Sequence, residues 1–291
     1  MTRFHPHAAG IILMLLSLSL INTSDALAKW TIQDLPIFQI MVFQACGLVV
    51  MALLVSRQPN PLRLIRTADP GWQIARSACQ FAMGFTFYSG LRVLQFADLI
   101  AILFIGPLVI TAMAHVFLNE RVGWHRWAAC AIGLVGGLVI VRPGSGLMGW
   151  GAIWPVLAVV LWSIYVVITR KISVRNSTAN MMLWSSLVTL GVLAAMSPWY
   201  WQSPVGWQWA ALLVIALLSS SSNGLVIRAY TLAPASLLAP FIYTEIIGAT
   251  FYGWVFWREF PDTWTWSGAI IIILAGLYVA RREALARRDA S

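Results

Sequence analysis

The sequence predicts an all-helical integral membrane protein with ten transmembrane helices, on the strength of two observations. First, 60% of the 291 residues are hydrophobic, only 10% are charged, and the mean hydropathy is +0.79, whereas soluble domains carry about 25% charged residues. Second, the apolar residues form continuous runs close to the roughly 20 residues that a helix needs to cross a bilayer. The ten predicted segments are 9–30, 35–57, 71–91, 95–118, 122–141, 149–171, 179–198, 205–228, 234–257 and 264–281. Continuous runs exclude transmembrane strands, which alternate in polarity over about ten residues.

Segment 1 is predicted to be a retained helix rather than a cleaved signal peptide. It is long for the apolar core of a signal peptide, carries Asn22, Asp25 and Lys29, and shows no convincing small-residue cleavage site near its end.

The distribution of basic residues predicts how the chain is oriented in the membrane. If the N-terminus is cytoplasmic, fourteen Arg and Lys residues fall at cytoplasmic positions and four at outside positions. Because cytoplasmic loops carry an excess of basic residues, we expect both termini to be cytoplasmic in a multi-pass protein of a bacterial-type inner membrane. Residues 283–291 then form a basic cytoplasmic tail.

Composition and motifs also argue against other classes of protein. A net charge of +9 can indicate nucleic-acid binding. The sequence, however, contains no soluble module with the basic and aromatic surface that such binding requires. The three cysteines and four histidines lack the spacing of metal ligands, and the acids are scattered. We therefore expect neither a metal or other cofactor nor an enzymatic activity.

The two halves of the chain are weakly similar on either side of the loop "RPGSGLMG" at 142–149. The stretch 116–142 parallels 255–281, with Glu120 matching Glu259 and Gly137 matching Gly276, both at an offset of 139 residues. Because each half holds five helices, an odd number, the second half must enter the membrane from the opposite side. The sequence thus predicts two inverted repeats, at 8–142 and 149–282.

These features resemble the ten-helix EamA type of the drug/metabolite transporter superfamily over nearly the full length. The resemblance rests on the two similar halves, the "AD" and "AS" turns before segments 4 and 9, Pro107 within segment 4, and "NER" or "REF" followed by a glycine-rich helix. It implies a central cavity lined by helices 3, 4, 8 and 9.

The resemblance and the inverted repeats imply a secondary transporter that moves a small organic metabolite by alternating access. Proton coupling, solute exchange and downhill flow all remain open, since the sequence holds no Walker motif for ATP drive. The alternatives are a channel-like pore and a flippase for lipid-linked metabolites. Neither the substrate nor the direction of transport follows from the sequence.

Glu245 is the first candidate for a substrate or proton site because it lies in the middle of segment 9. An ionised acid at the bilayer centre costs about 2.5–3.5 kcal/mol or more, so such acids usually face a cavity. It could load a proton or receive a cationic group of the solute. The structural alternative is a protonated acid bonded to a serine of helix 8.

Six other residues are candidates for the same site. Two are polar residues on one face of segment 3, and two are polar residues in the run "SSSSN" of segment 8. The fifth is a tyrosine near Glu245, and the sixth is a proline that can bend segment 4. These residues are Arg76, Gln80, Ser220, Asn223, Tyr243 and Pro107. Snorkelling of the arginine and close helix packing by the serines are the structural alternatives.

Four residues near the predicted outer surface are candidates for a gate. Asn22, Asp25 and Lys29 lie three and four residues apart on one face of segment 1, so Asp25 and Lys29 are predicted to pair. Asp98 opens segment 4, where a helix N-terminus also favours an acid for structural reasons alone.

Gly133 and Gly137 lie four residues apart in segment 5. This spacing allows close packing of helices in a membrane, either within the chain or in a homodimer.

Overall fold

The computed structural model describes residues 6–56, 64–118, 124–142, 149–233 and 235–289, and all regular elements in these ranges are helical. The α-helices are α1 (Pro6–Thr31), α2 (Ile37–Val55), α3 (Pro70–Val93), α4 (Phe96–Leu103), α5 (Gly106–Leu118), α6 (Trp124–Val141), α7 (Ile153–Ile172), α8 (Thr178–Tyr200), α9 (Trp207–Leu232), α10 (Ala235–Ile242), α11 (Glu245–Tyr252) and α12 (Thr263–Asp289). A 3-10 turn, Gly149–Ala152, precedes α7, and a π-helical segment, Gly253–Trp257, follows α11. The predicted all-helical fold is confirmed.

These helices form ten spans, because the fourth span is divided into α4 and α5 and the ninth into α10 and α11. Within the described residues, six stretches are apolar and long enough to cross a membrane: Ala8–Thr31, Ile37–Val55, Phe96–Met113, Trp150–Ile172, Thr178–Tyr200 and Trp207–Leu232. The third span is less apolar because its polar side chains face α8. Gln73 donates to Asn180 at 2.8 Å, and Arg76 donates to Ser185 at 2.9 Å.

The helix packing confirms the two repeats. The contact between α1 and α9 has its counterpart in that between α3 and α7, and the contact of α2 with α9 has its counterpart in that of α3 with α8. Likewise, α5 packs on α7 as α11 packs on α1, while α2 pairs with α8 and α6 pairs with α12. Exchanging spans 1–5 with spans 6–10 therefore maps each of these contacts onto another of them or onto itself, as an inverted repeat requires.

The main hydrophobic core lies in one half of the bundle. We call the end that holds Pro6 and Asp289 the proximal end and the opposite end the distal end. The largest buried cluster includes Ile32, Ile40, Leu99 and Ile246, and its members lie between the middle of the bundle and the distal end. The bundle is therefore closed by apolar packing on the distal side.

Glycines allow the repeats to approach closely along α6 and α12. A Cβ atom on Gly268 would lie 2.5 Å from the carbonyl oxygen of Gly136, so the two backbones touch. Gly133 and Gly137 instead face Leu108 and Ile105 of the fourth span. The predicted close packing at these two glycines thus occurs within one chain, and a homodimer remains a prediction.

The helix bounds agree with the predicted segments within about four residues, except at the C-terminal end. There α12 continues to Asp289. Most of the tail predicted at 283–291 is therefore helical and continuous with the tenth span.

Candidate functional site

A cavity of about 780 Å³ lies between the two repeats. Its lining reaches Arg170 and Tyr230, each two residues before the proximal end of its helix. On the distal side the described lining stops at Asp25, Met41 and Tyr88, four to six residues short of the helix ends. The cavity therefore opens at the proximal end, passes the middle of the bundle and ends about one turn or slightly more before the distal end.

Two helix breaks meet at the inner end of this cavity. The fourth span is interrupted at Phe104 and Ile105, and the ninth at Tyr243 and Thr244, which are related by the same offset of 139 residues as the sequence repeat. The rings of Phe104 and Tyr243 pack edge to face, with centroids 5.2 Å apart. Both breaks therefore lie side by side on the cavity wall, an arrangement found at the substrate sites of secondary transporters.

Small residues in the neighbouring spans make room for the breaks. Gly137 of α6 faces Ile105, and its repeat partner Gly276 of α12 faces the hydroxyl of Tyr243, so a Cβ at either position would clash. Pro107, the second residue of α5, lacks the amide hydrogen that would bond to the carbonyl of Leu103 in a continuous helix. The sequence thus encodes the break in the fourth span through a proline and a facing glycine.

Two carboxyl groups line the cavity from opposite repeats. Glu245 is the first residue of α11, immediately after the break, and Asp25 lies in α1 with 4% of its surface exposed. Among the described residues, neither side chain has a hydrogen bond or an ion pair. The site thus has two acidic groups without a protein cation.

The predicted pairing of Asp25 with Lys29 is wrong. Lys29 forms an ion pair with Glu259, with Nζ 2.5 Å from Oε2, and donates a second hydrogen bond to the carbonyl of Leu94 at 3.1 Å. The indole ring of Trp257 lies 4.9 Å from the same Nζ. An ion pair between residues four apart on a helix contributes only about 0.2–0.5 kcal/mol. Lys29 therefore binds the three partners near the end of α1 instead of Asp25.

These contacts of Lys29 belong to a polar layer at the distal end. Asp98 accepts a hydrogen bond from the hydroxyl of Thr265 at 2.7 Å. Arg142 and Asp262 form an ion pair at 2.7 Å. Desolvation opposes the ionisation of Asp262, but hydrogen bonds from Thr265 and the charge of Arg142 outweigh it and lower the pKa of this carboxyl. The layer joins the first repeat to the second beyond the closed end of the cavity.

Asn22 belongs to neither the distal layer nor the cavity lining. Its amide donates to the carbonyl of Leu18 and packs against Gly248, where a Cβ would lie 2.7 Å from the Asn22 amide. It therefore fixes the contact between α1 and α11, one turn from both Asp25 and Glu245.

The structure brings six of the seven predicted site residues to the cavity wall. They are Glu245, Tyr243, Gln80, Asn223, Ser220 and Pro107. The hydroxyl of Ser220 and the side-chain carbonyl of Gln80 are buried and have no partner among the described residues.

Arg76 is the exception. It is 2% exposed and lies behind the wall, where it donates to Ser185 and to the carbonyl of Met181 and covers the ring of Tyr165. Its partner Ser185 lines the cavity, so Arg76 supports the wall instead of snorkelling.

Sequence reasoning missed part of the lining. Gln44 donates to the hydroxyl of Tyr88 at 2.6 Å, and both residues line the cavity, as does Thr189 of α8. Gln44 is one of two glutamines, with Gln39, within the apolar run of segment 2, and this was the available signal. Asp25 was assigned to the gate because a nearby lysine offered a local partner.

Comparison with known proteins supports a transport role for this architecture. The model of the EamA-like transporter family matches residues 8–142 and again 149–281. The chain is 27% identical over 290 residues to an S-adenosylmethionine uptake transporter of Rickettsia felis, covering 98% of this chain and 97% of that relative. It is 31% identical over 225 residues to a riboflavin transporter of Rhizobium johnstonii, covering 76% and 74%.

A solved crystal structure shares the fold with a TM-score of 0.64 at 19% identity, over 98% of this chain and 99% of the other. Together with the two family matches, which coincide with the two structural repeats, the findings assign the protein. The chain belongs to the EamA-like transporter family, and it is a transporter rather than an enzyme.

Proposed function

We propose that this protein is a secondary transporter that carries a small organic metabolite across the cytoplasmic membrane by alternating access, with both termini in the cytoplasm. The observation that carries the proposal is the asymmetry of the cavity. It reaches the proximal end at Arg170 and Tyr230, while the distal end is closed by an apolar core and the Lys29–Glu259 ion pair. A solute could enter from one side only in this conformation.

The inverted repeats supply a second conformation. Because the two halves pack through equivalent contacts, exchanging their roles would close the proximal end and open the distal one. The paired helix breaks at mid-depth place irregular backbone beside the cavity, where a solute could contact it. This architecture favours a carrier over a channel-like pore, which would be open at both ends at once.

The cavity suits a metabolite of moderate size. Its volume of about 780 Å³ falls within the range of about 300–1,000 Å³ that is usual for small-molecule sites. The names of the two relatives suggest S-adenosylmethionine and riboflavin as first candidates. Two carboxyl groups in the cavity fit both exchange and proton coupling.

Uptake by the purified protein in liposomes tests the proposal. Radiolabelled S-adenosylmethionine and riboflavin are each supplied outside vesicles that are empty or preloaded with the same unlabelled compound. We expect saturable uptake of at least one compound. Preloading should accelerate this uptake, because the binding site of a carrier faces outward again sooner when it carries unlabelled compound out of the vesicle. Leu54→Ala serves as a control variant that should transport like the wild type, because this side chain of α2 lies outside the cavity and is 75% exposed on the lipid-facing surface.

Three outcomes count against the proposal. Uptake that rises linearly with concentration and ignores preloading indicates a pore. Translocation of a fluorescent lipid-linked sugar without uptake of soluble compounds indicates a flippase. Absence of uptake for a wide metabolite panel, by protein that remains folded, argues against transport of small organic solutes.

A further inference from the structure

The two carboxyl groups of the cavity lie on either side of one helix contact. Asn22 of α1 packs against Gly248 of α11, and Asp25 and Glu245 lie one turn from these two residues. Since α1 belongs to the first repeat and α11 to the second, each half of the transporter supplies one acid to the same space.

Protein cations near this space are engaged elsewhere. Lys29 is bound to Glu259 and Leu94, and Arg76 to Ser185 and Met181. Among the described residues, Arg170 is the basic side chain of the lining, and it lies at the proximal mouth. A buried carboxylate without a partner is costly, so the inner part of the cavity favours a positively charged occupant.

The remaining wall suits an organic body attached to that charge. Aromatic rings line the inner cavity from four spans, namely α3, the break in the fourth span, α7 and the break in the ninth span. These rings are Phe81, Phe87, Tyr88, Phe104, Trp162 and Tyr243. Aromatic faces attract cations and stack on planar groups. The buried hydroxyl of Ser220, 6% exposed and without a partner in the described chain, adds a polar contact.

From these contacts we infer that Asp25 and Glu245 together form a subsite for the positively charged group of an organic cation, whose apolar or planar part lies against the aromatic wall. An inorganic ion fits less well. No group of three or more metal-ligating side chains occurs in the described ranges, and the cavity is far larger than a metal ion needs. The inference rests on the proposed transport function and names the class of its substrate.

The inference is tested by comparing how tightly the protein binds the two members of matched pairs of probes. Each pair joins a cation to its uncharged or less charged analogue: S-adenosylmethionine with S-adenosylhomocysteine, 1-methylnicotinamide with nicotinamide, and choline with 3,3-dimethylbutanol. Binding to the purified protein is measured as ligand-dependent thermal stabilisation, since a ligand of the folded state raises its apparent stability. We expect at least one cation to bind more tightly than its analogue by a factor of about ten or more, because a charge pair in a desolvated site contributes strongly to affinity.

Substitution assigns that preference to the two acids. Asp25→Asn and Glu245→Gln should each reduce the binding of the preferred cation by about ten-fold or more while changing the binding of its analogue little. The matched control is Asp34→Asn, because Asp34 is an exposed acid in the loop between α1 and α2. Melting without ligand shows whether each variant is folded. If one is not, Asp25→Glu or Glu245→Asp, which keep the charge and should keep the preference, replaces it.

The outcomes separate this inference from the transport function. Saturable uptake of riboflavin, with no preference for any cation of the panel over its analogue, overturns the cation subsite and leaves the carrier intact. A cation preference that survives both substitutions also overturns the subsite. Stabilisation by sodium or magnesium ions alone, lost in both variants, shows an inorganic site instead. Absence of any uptake overturns the transport proposal itself.

Discussion

Lys29 in α1 and Glu259, which follows the π-helical segment of the ninth span, form an ion pair of 2.5 Å between the two repeats. The lysine side chain is 6% exposed and the glutamate 27% exposed. Because Lys29 also donates to the carbonyl of Leu94, the first span, the turn between the third and fourth spans, and the end of the ninth span meet at this point. The pair lies at the distal end, beyond the cavity, and must separate before a solute could leave in that direction.

Breaking this pair should open the distal end more often. Removing one partner of a largely buried pair leaves an uncompensated charge, so we expect Glu259→Gln to raise access to the cavity from the distal side on the order of ten-fold. The measurement is the rate at which a membrane-impermeant maleimide labels Met41→Cys, at the inner end of the cavity, in protein whose native cysteines are replaced.

The control for this experiment is Asp262→Asn, which breaks the neighbouring pair with Arg142. Asp262 is 44% exposed, and exposed pairs contribute only about 0–1 kcal/mol, so labelling should change little. Exchanging the charges, Lys29→Glu with Glu259→Lys, should restore slow labelling. Equal rates in the wild type and in Glu259→Gln would show that the pair does not hold the distal end closed.

Pro107→Ala should slow transport without unfolding the protein. The alanine amide could bond to the carbonyl of Leu103 and extend α4 into α5, which would straighten the break beside the cavity. We expect a lower maximal uptake rate and an unchanged or higher melting temperature in detergent. Pro198→Ala, a proline within α8 and outside the cavity lining, is the matched control. Normal uptake by Pro107→Ala would mean that the break does not depend on this proline.

Gly268→Ala should destabilise the contact between the repeats. The new methyl group would lie 2.5 Å from the carbonyl oxygen of Gly136 and from Ile140, and overpacking of this kind costs about 1–3 kcal/mol. Thermal unfolding in detergent measures the effect. Gly191→Ala in α8 should be neutral or slightly stabilising, because no atom lies within 4 Å of the added methyl. Similar melting temperatures for both variants would contradict close packing at Gly268.

The helix bounds and the repeat could be predicted from the sequence because they depend on local apolar length and on a repeated pattern. Pro107 also indicated a bend in the fourth span. The ion partner of Lys29 could not be predicted, since Glu259 lies 230 residues away while Asp25 offered a favourable local spacing. Once Lys29 is engaged elsewhere, Asp25 becomes a cavity acid. The composition of the cavity therefore depended on a long-range contact that local patterns do not reveal.

The orientation can be tested at the two ends of one helix. Val174 precedes α8 and is 89% exposed, whereas Val205 follows it and is 65% exposed. The excess of basic residues at the proximal end predicts that this end is cytoplasmic. In intact cells, an impermeant maleimide should label Val205→Cys and spare Val174→Cys, with all three native cysteines replaced. The reverse pattern would invert the proposed orientation.

Glu245→Gln should abolish transport or change its coupling while leaving the protein folded, because the amide is nearly isosteric but cannot carry the negative charge. The acid is the first residue of α11 and lines the cavity beside the two helix breaks. The described titratable and charged groups that share the cavity are Asp25, Tyr88, Arg170, Tyr230 and Tyr243.

The dependence of uptake on pH distinguishes the two roles of this acid. If Glu245 receives a cationic group, acidification protonates it and weakens binding, so the wild-type KM rises as pH falls, and Glu245→Gln has a high KM at every pH. If it carries the coupling proton, a pH gradient drives wild-type uptake and has no effect on the variant. Asp34→Asn, which changes an exposed acid to an amide, should match the wild type in both tests. Full uptake by Glu245→Gln with an unchanged pH profile would show that the acid is structural.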